Sequence, residues 1–329
     1  MFGRKQSKEN PEVALPRLSI TGAFGKLPSE ADFVQIDSNW RELKDLDDTL
    51  QNVYSELSRA NQLDHFAGCG VLRTGGGDRQ ATVNLVYPSE DKSGRFYPFV
   101  LFHRLSEKGF YYKPDAQFAA SLPAMTLAIG EPEISQLPGL PSPNWLTSLR
   151  QQPEYCTPMD PRLAKRAAMT MAEKVTLGHW LDVLVGQDPA LRQDIIVGTI
   201  LLLRQLKQGR IHRAYYGIWL PLPAGEHGVN CIAFWLQLLT AVMTDQRWRP
   251  DIVWSTMPDN NRLFILTKPL TSSALQATAS ATTSVTSFLG WNDVLPAEPN
   301  TELRQPVKQW ISNEQASLLD IAIEWYQLL

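Results

Sequence analysis

Apolar residues recur at two periods along this chain. Trp40, Leu43, Leu46, Leu50, Val53, Tyr54 and Leu57 stand three or four apart, so they share one face of a helix predicted over Asp37–Leu63. Asp37 or Ser38 stands where a side-chain oxygen can cap the first turn of that helix. The period then shortens to two. Val83, Leu85 and Tyr87 alternate, as do Val100 and Phe102, and strands are read at Cys69–Arg73, Ala81–Tyr87 and Tyr97–His103. Leu18 and Ile20 mark an earlier strand at Arg17–Phe24. The glycines of Thr74–Asp78 suit a hairpin connection between the first two of the three later strands. Asp115–Leu127 reads as a short helix, with Phe118, Leu122 and Met125 on one side and Pro123 against it.

Seven prolines fall between residues 130 and 161, and proline both fixes φ and removes a donor, so this stretch reads as a linker. It divides the chain into a tail at 1–14, a first domain at 15–150 and a second at 151–329. The second half opens with helices at Pro161–Thr176 and Leu177–Val185. A longer helix is capped by Asp188, starts on Pro189 and ends near Gly209. Ala214–Leu222, Asp251–Ser255 and Arg262–Thr267 read as strands, the last two joined by a turn at Pro258–Asn261. Asn230–Thr244 is an apolar helix. Thr271–Ser287 is rich in Ser, Thr and Ala and reads as a helix with a small-residue face. Ser312 with Gln315 fits a capping box for a final helix, Ser312–Leu329, whose buried stripe is Leu318, Ile321, Ala322, Trp325 and Leu329.

The bulk numbers narrow the function. The chain has 329 residues, 43% of them hydrophobic and 20% charged, which is the composition of a folded protein. A net charge of −3 gives no whole-chain basic surface, so nucleic acid is not an expected partner. The longest aliphatic run, Ile195–Leu203, is interrupted by Gly198 and Thr199 and falls far short of the ~20 residues that span a bilayer. Met1–Val13 is polar and has no apolar signal-peptide core, and a cytoplasmic location is expected.

Candidate chemistry is sparse. Cys69, Cys156 and Cys231 match no metal spacing and read as buried thiols. His65, His103, His179, His212 and His227 are far apart. Gly22-Ala23-Phe24-Gly25-Lys26 falls short of a phosphate loop, because its glycines are three apart and Leu27 and Pro28 follow the lysine. The carboxylates Asp45, Asp47 and Asp48 read as a solvated helix face. No cofactor or metal is expected.

Two segments carry a signal together. One is Gly22–Pro28 followed by Asp32-Phe33-Val34. The other is Tyr87–Phe99, containing Pro88-Ser89-Glu90-Asp91-Lys92-Ser93-Gly94-Arg95-Phe96-Tyr97-Pro98. In the second, Gly94 permits a tight reversal, Asp91 and Arg95 can form a charge-assisted pair across it, and Pro98 delays the next strand or puts it at an edge. If the two loops are neighbours, Lys26 and Asp32 join Ser89, Asp91, Arg95 and Phe96 in one polar rim. That rim is either a self-satisfied turn or a docking edge for a partner.

In this order the two segments resemble the N-terminal domain of the TagF (ImpM) family of type VI secretion-associated proteins. The resemblance covers about residues 19–101 and includes Leu50-Gln51 and Ser58-Arg59 in the intervening helix. Ala31 replaces the family's glycine, and Lys92-Ser93 and Leu46-Asp47 depart from its pattern. The resemblance implies a three-layer α/β/α sandwich with a mixed sheet, followed here by a helix-rich α+β region. It implies no catalysis. It also implies a post-translational repressor of type VI assembly, which acts on the cytoplasmic forkhead-associated scaffold protein and beyond it on membrane-complex components. The partner-binding or motif residues carried over are Lys26, Asp32, Ser89, Asp91, Arg95 and Phe96. Two alternatives stay open: an enzyme acting on a small molecule, with Asp32, Ser89, Asp91 and Arg95 lining a cleft, and a many-copy structural subunit of the apparatus.

Overall fold

The computed structural model describes residues 22–74, 81–104, 161–211, 213–223, 227–243, 250–255, 261–279, 287–296 and 301–329. The expected tail, the Asp115–Leu127 helix, the 130–161 linker and the glycine and Pro258 turns lie outside these residues wholly or in large part.

The described strands are β1 (Gly22–Gly25), β2 (Val34–Ile36), β3 (Cys69–Arg73), β4 (Thr82–Tyr87), β5 (Phe99–Arg104), β6 (Gly217–Pro221), β7 (Ile252–Ser255), β8 (Arg262–Leu266) and β9 (Phe288–Gly290). They form one nine-stranded sheet in the order β2-β1-β5-β4-β3-β7-β8-β6-β9. Every neighbouring pair is antiparallel except β6 and β9, so the sheet is mixed. Strands from either side of the 130–161 stretch meet where β3 pairs with β7, Cys69 opposite Ser255 and Leu72 opposite Ile252. The two halves of the chain therefore share a sheet.

Described helices are α1 (Arg41–Arg59), α2 (Pro161–Lys174), α3 (Leu177–Val185), α4 (Pro189–Lys207), α5 (His227–Met243), α6 (Ser272–Ala279), α7 (Thr301–Ser312) and α8 (Leu318–Leu328). They cover both faces of the sheet, and strand alternation decides which face each side chain serves. Val100 and Phe102 join α1 and α6 in one core, while Phe99 and Leu101 join side chains of α2, α3, α4, α5, α7 and α8 in the other. Burying a Leu such as Leu46 or Leu50 on α1 contributes about 1.5–3 kcal/mol. In the second core Trp180 lies edge-on to Phe234 and Trp235, 5.0 Å from each, and Trp325 lies 5.6 Å from Phe234.

Several boundaries differ from expectation for physical reasons. Helix α1 starts at Arg41, not Asp37: Asp37 is turned into the left-handed region (φ 47) as the chain leaves β2, and Trp40 is the N-cap residue with no side-chain cap bond. It ends at Arg59, and Leu63 belongs to a separate 3-10 turn. The final helix is two. A capping box at Ser312 does not form; α7 ends there, and Ser317 caps α8 by accepting from the Asp320 backbone N–H. Strands β2 and β9 have only three residues each, too short for a period-two pattern to be read from the sequence. Asp188 caps α4 over Pro189 as expected, accepting from the N–H groups of Ala190 and Leu191.

Candidate functional site

The two motif loops lie side by side, and the pairing of their strands is the cause. Strand β1 runs antiparallel to β5 with Gly25 opposite Phe99. The chain leaving β1 and the chain entering β5 therefore emerge at the same end of the sheet. The approach is close: at Gly25, with φ 123, an added Cβ would sit 2.0 Å from the Pro98 carbonyl oxygen. No side chain fits there.

Asp91 is the hub of the site, with a fully buried side chain. One carboxylate oxygen accepts from the backbone N–H groups of Ser93 (2.9 Å) and Arg95 (3.0 Å). The other accepts from Arg95 Nε at 2.7 Å and lies 3.1 Å from Lys26 Nζ. Gly94, at φ 76, makes the reversal that brings Arg95 back onto Asp91. Burial acts to raise the Asp91 pKa, but the donations from the Arg95 N–H, Lys26, the Ser93 N–H and the Arg95 guanidinium outweigh it and hold the carboxyl well below the usual carboxylate range. Asp91 is thus held as an anion at neutral pH and fixes two cations.

The clamp binds the loops to each other. Ser89 Oγ donates to the Lys26 carbonyl at 2.7 Å, Arg95 donates through a terminal nitrogen to the Ala31 carbonyl at 2.8 Å, and the Lys92 N–H donates to the Glu30 carbonyl at 2.9 Å. Glu90 and Phe96 form a β-bridge across the turn. Five of the six motif residues are therefore brought together. Asp32 is not: it is exposed, and no hydrogen bond or ion pair among the described residues ties it to the clamp. Phe96 belongs to the turn by its backbone, but the residue is 57% exposed. The Arg95 side chain, at 61%, is exposed as well. Pro98 does delay the strand, which begins at Phe99, yet β5 lies in the interior of the sheet.

Next to the clamp is a groove of about 310 Å³ between the β1–β2 end of the sheet and α1. Phe24 and Leu43 contribute apolar surface, Phe33 and Gln35 come from β2 and the turn before it, and Lys44, Asp47 and Asp48 come from α1. Sequence reasoning missed this groove. Phe33 lies inside the Asp32-Phe33-Val34 motif, but its 39% exposure and its 5.4 Å ring contact with Tyr97 depend on how β2 folds back. The Tyr97 hydroxyl donates to the Asp47 carboxylate, and burial followed by that bond drives the phenol pKa upward.

Of the cysteines, Cys69 and Cys231 are free and buried. Burial pushes the Cys69 thiol up to about 12 and raises that of Cys231 too, so neither is a ready nucleophile. Cys156 lies outside the described residues. Among the described residues, no three His, Cys, Asp or Glu side chains are grouped to hold a metal ion. No described helix is long and apolar enough to cross a membrane.

No curated protein matches this sequence. The crystal structure of PA0076 from Pseudomonas aeruginosa PAO1 aligns over 86% of this chain and 99% of its own at 14% identity, with a TM-score of 0.40. Residues 22–131 match the family model of the type VI secretion system-associated TagF N-terminal domain, a span that contains β1 to β5, the Asp91 clamp and the groove. Over residues 22–131 the chain therefore resembles the N-terminal domain of the TagF family, a domain associated with type VI secretion systems.

Proposed function

We propose that this protein is a non-catalytic cytoplasmic regulator that restrains type VI secretion by binding the forkhead-associated scaffold protein of that system. One observation carries the reading. The charges of Lys26 and Asp91 and the Ser89 hydroxyl are used up inside the clamp, which leaves the Phe96 ring and the Arg95 guanidinium on the surface of a rigid turn. Aromatic and Arg side chains on a pre-organised loop are the groups that dominate protein interfaces, because little entropy is lost when they dock. The choice of partner rests on the family resemblance. The saturated, buried Asp91 supports binding over the enzyme alternative, since a carboxylate held low and fully bonded is a poor base.

The test is capture of the scaffold protein from cells that carry the secretion cluster, with wild type, Phe96→Ala and Arg95→Ala as baits. Phe96→Ala should melt like wild type and lose most of the captured scaffold. Wild-type capture by both variants, each shown to be folded by circular dichroism, would overturn the proposal. Light scattering separates the structural-subunit alternative: a regulator is a monomer or dimer in isolation, and a large homo-oligomer would favour the subunit.

A further inference from the structure

We infer that the groove beside the clamp is a docking site for an extended segment of a partner protein that carries Arg or Lys, added as a strand to the outer edge of β2. The inference rests on the binding reading above and names the chemistry of the segment.

Three features at this place agree. First, among the described residues β2 ends the sheet, and no described strand pairs with its outer edge. An open edge offers a row of backbone donors and acceptors to a peptide in extended conformation. Second, β2 alternates in the way such a site needs. Val34 is buried in the helix-rich core, while Phe33 and Gln35 on either side of it line the groove. A strand laid along β2 would send every second side chain into the same groove. Third, the groove has the charge and the aromatic surface that suit a cation. Asp47 and Asp48 face it with Lys44 as the one cation among its lining residues, and the Phe33 ring is 39% exposed beside them. Gln51 Nε2, at 3.2 Å, and the Tyr97 hydroxyl both donate to Asp47 and fix its orientation in advance. The surroundings repeat the sign: residues 30–48 contain seven acids and two bases. A guanidinium in the groove would pair with Asp48 and stack on Phe33, two interactions that add when water is excluded. An acidic or phosphorylated segment would meet carboxylates instead.

The probe is a fluorescein-labelled Thr-Val-Arg-Val-Thr-Val peptide, with a Thr-Val-Glu-Val-Thr-Val control, titrated against the full chain by fluorescence polarisation. Asp48→Lys is the main variant, since Asp48 is exposed and its replacement leaves the core intact. Phe33→Ala is the second. The arginine peptide should bind, and the glutamate peptide should not. Asp48→Lys should weaken binding about tenfold, and ~0.5 M salt should weaken it similarly. Equal binding of the two peptides, no binding of either, or no effect of Asp48→Lys would overturn the inference. The same variants in the scaffold pull-down keep the two readings apart. If wild type captures the scaffold and the groove variants do so equally well, the groove does not dock the scaffold and the inference fails while the regulator reading stands. If the arginine peptide binds and no scaffold is captured, the regulator reading fails and the groove stands.

Discussion

Among the described residues, two buried charges sit at paired hubs on either side of the 130–161 stretch, and they are used differently. Asp91 is an acid at the centre of two cations and two backbone N–H groups, at the open end of the sheet. Arg192, on α4, is the reverse: a base whose side chain is 5% exposed, paired with Asp182 on α3 and Glu314 beyond α7, and donating to the Gly186 carbonyl at 2.8 Å. Both satisfy the rule that a buried charge must be paired. The difference lies in what surrounds them. Around Arg192 the partners come from helix ends and close a joint. Around Asp91 the partners come from loops, and beside it stand Phe96, Phe33 and a groove. A charge hub alone therefore says little about function; exposed aromatic surface on a fixed scaffold is what separates the proposed docking edge from the Arg192 joint.

The comparison can be broken from the Arg192 side first. Arg192→Met should destabilise the protein by about 2–3 kcal/mol, because the Gly186 carbonyl loses a charged donor and two half-exposed carboxylates lose the cation that joins them. Denaturant unfolding measures this, and scaffold capture by the folded fraction should be unchanged. Loss of capture at full folding would mean that the joint, too, is functional.

Gly25→Ala attacks the clamp through its backbone and should cost about 2 kcal/mol or more, since the residue combines positive φ with a collision at Pro98. A smaller loss in a thermal melt would show that the β1–β5 approach is adjustable.

Acid titration sharpens the contrast at Asp91. Its folded pKa is depressed, so the stability it contributes is present in full above the ordinary carboxylate range near pH 4. That contribution fades as pH falls below this range, and is lost only through the far lower folded value. The stability gap between wild type and Asp91→Asn should be constant at neutral pH and close as pH drops below about 4. A gap that widened in acid would reverse the sign and refute the clamp.

Phe96→Ala should give the smallest structural effect, within about 0.5 kcal/mol, because the ring is mostly in water. Any large stability loss would move Phe96 from the docking edge into the fold.

How legible each hub was follows from sequence separation. The Asp91–Arg95 pair spans four residues and a glycine, so local turn chemistry sufficed to propose it. Arg192 and Glu314 are 122 residues apart, and nothing in the pattern links them. The same holds for the groove. The apolar stripe of α1 was readable from its spacing, but Asp47 and Asp48, on the polar side of that stripe, read as a wet helix face until β2 folded back beside them. The misplaced start of α1 and the misplaced cap at Ser312 have one cause. Several residues near each site could cap a helix, and the choice is made by where the preceding chain must turn.

The sequence by itself determined the elements with long periodic stripes, the Asp188 cap, the reversal at Gly94 and the family likeness of the two loops, because each depends on side chains a few residues apart. Tertiary structure alone decided that both halves join one sheet through β3 and β7, that Lys26 reaches Asp91, and that an edge strand, an aromatic ring and two carboxylates meet in a groove. Those outcomes depend on strand pairing between distant segments, whose free energy comes from burial and register across the whole sheet and leaves no local trace in the order of residues.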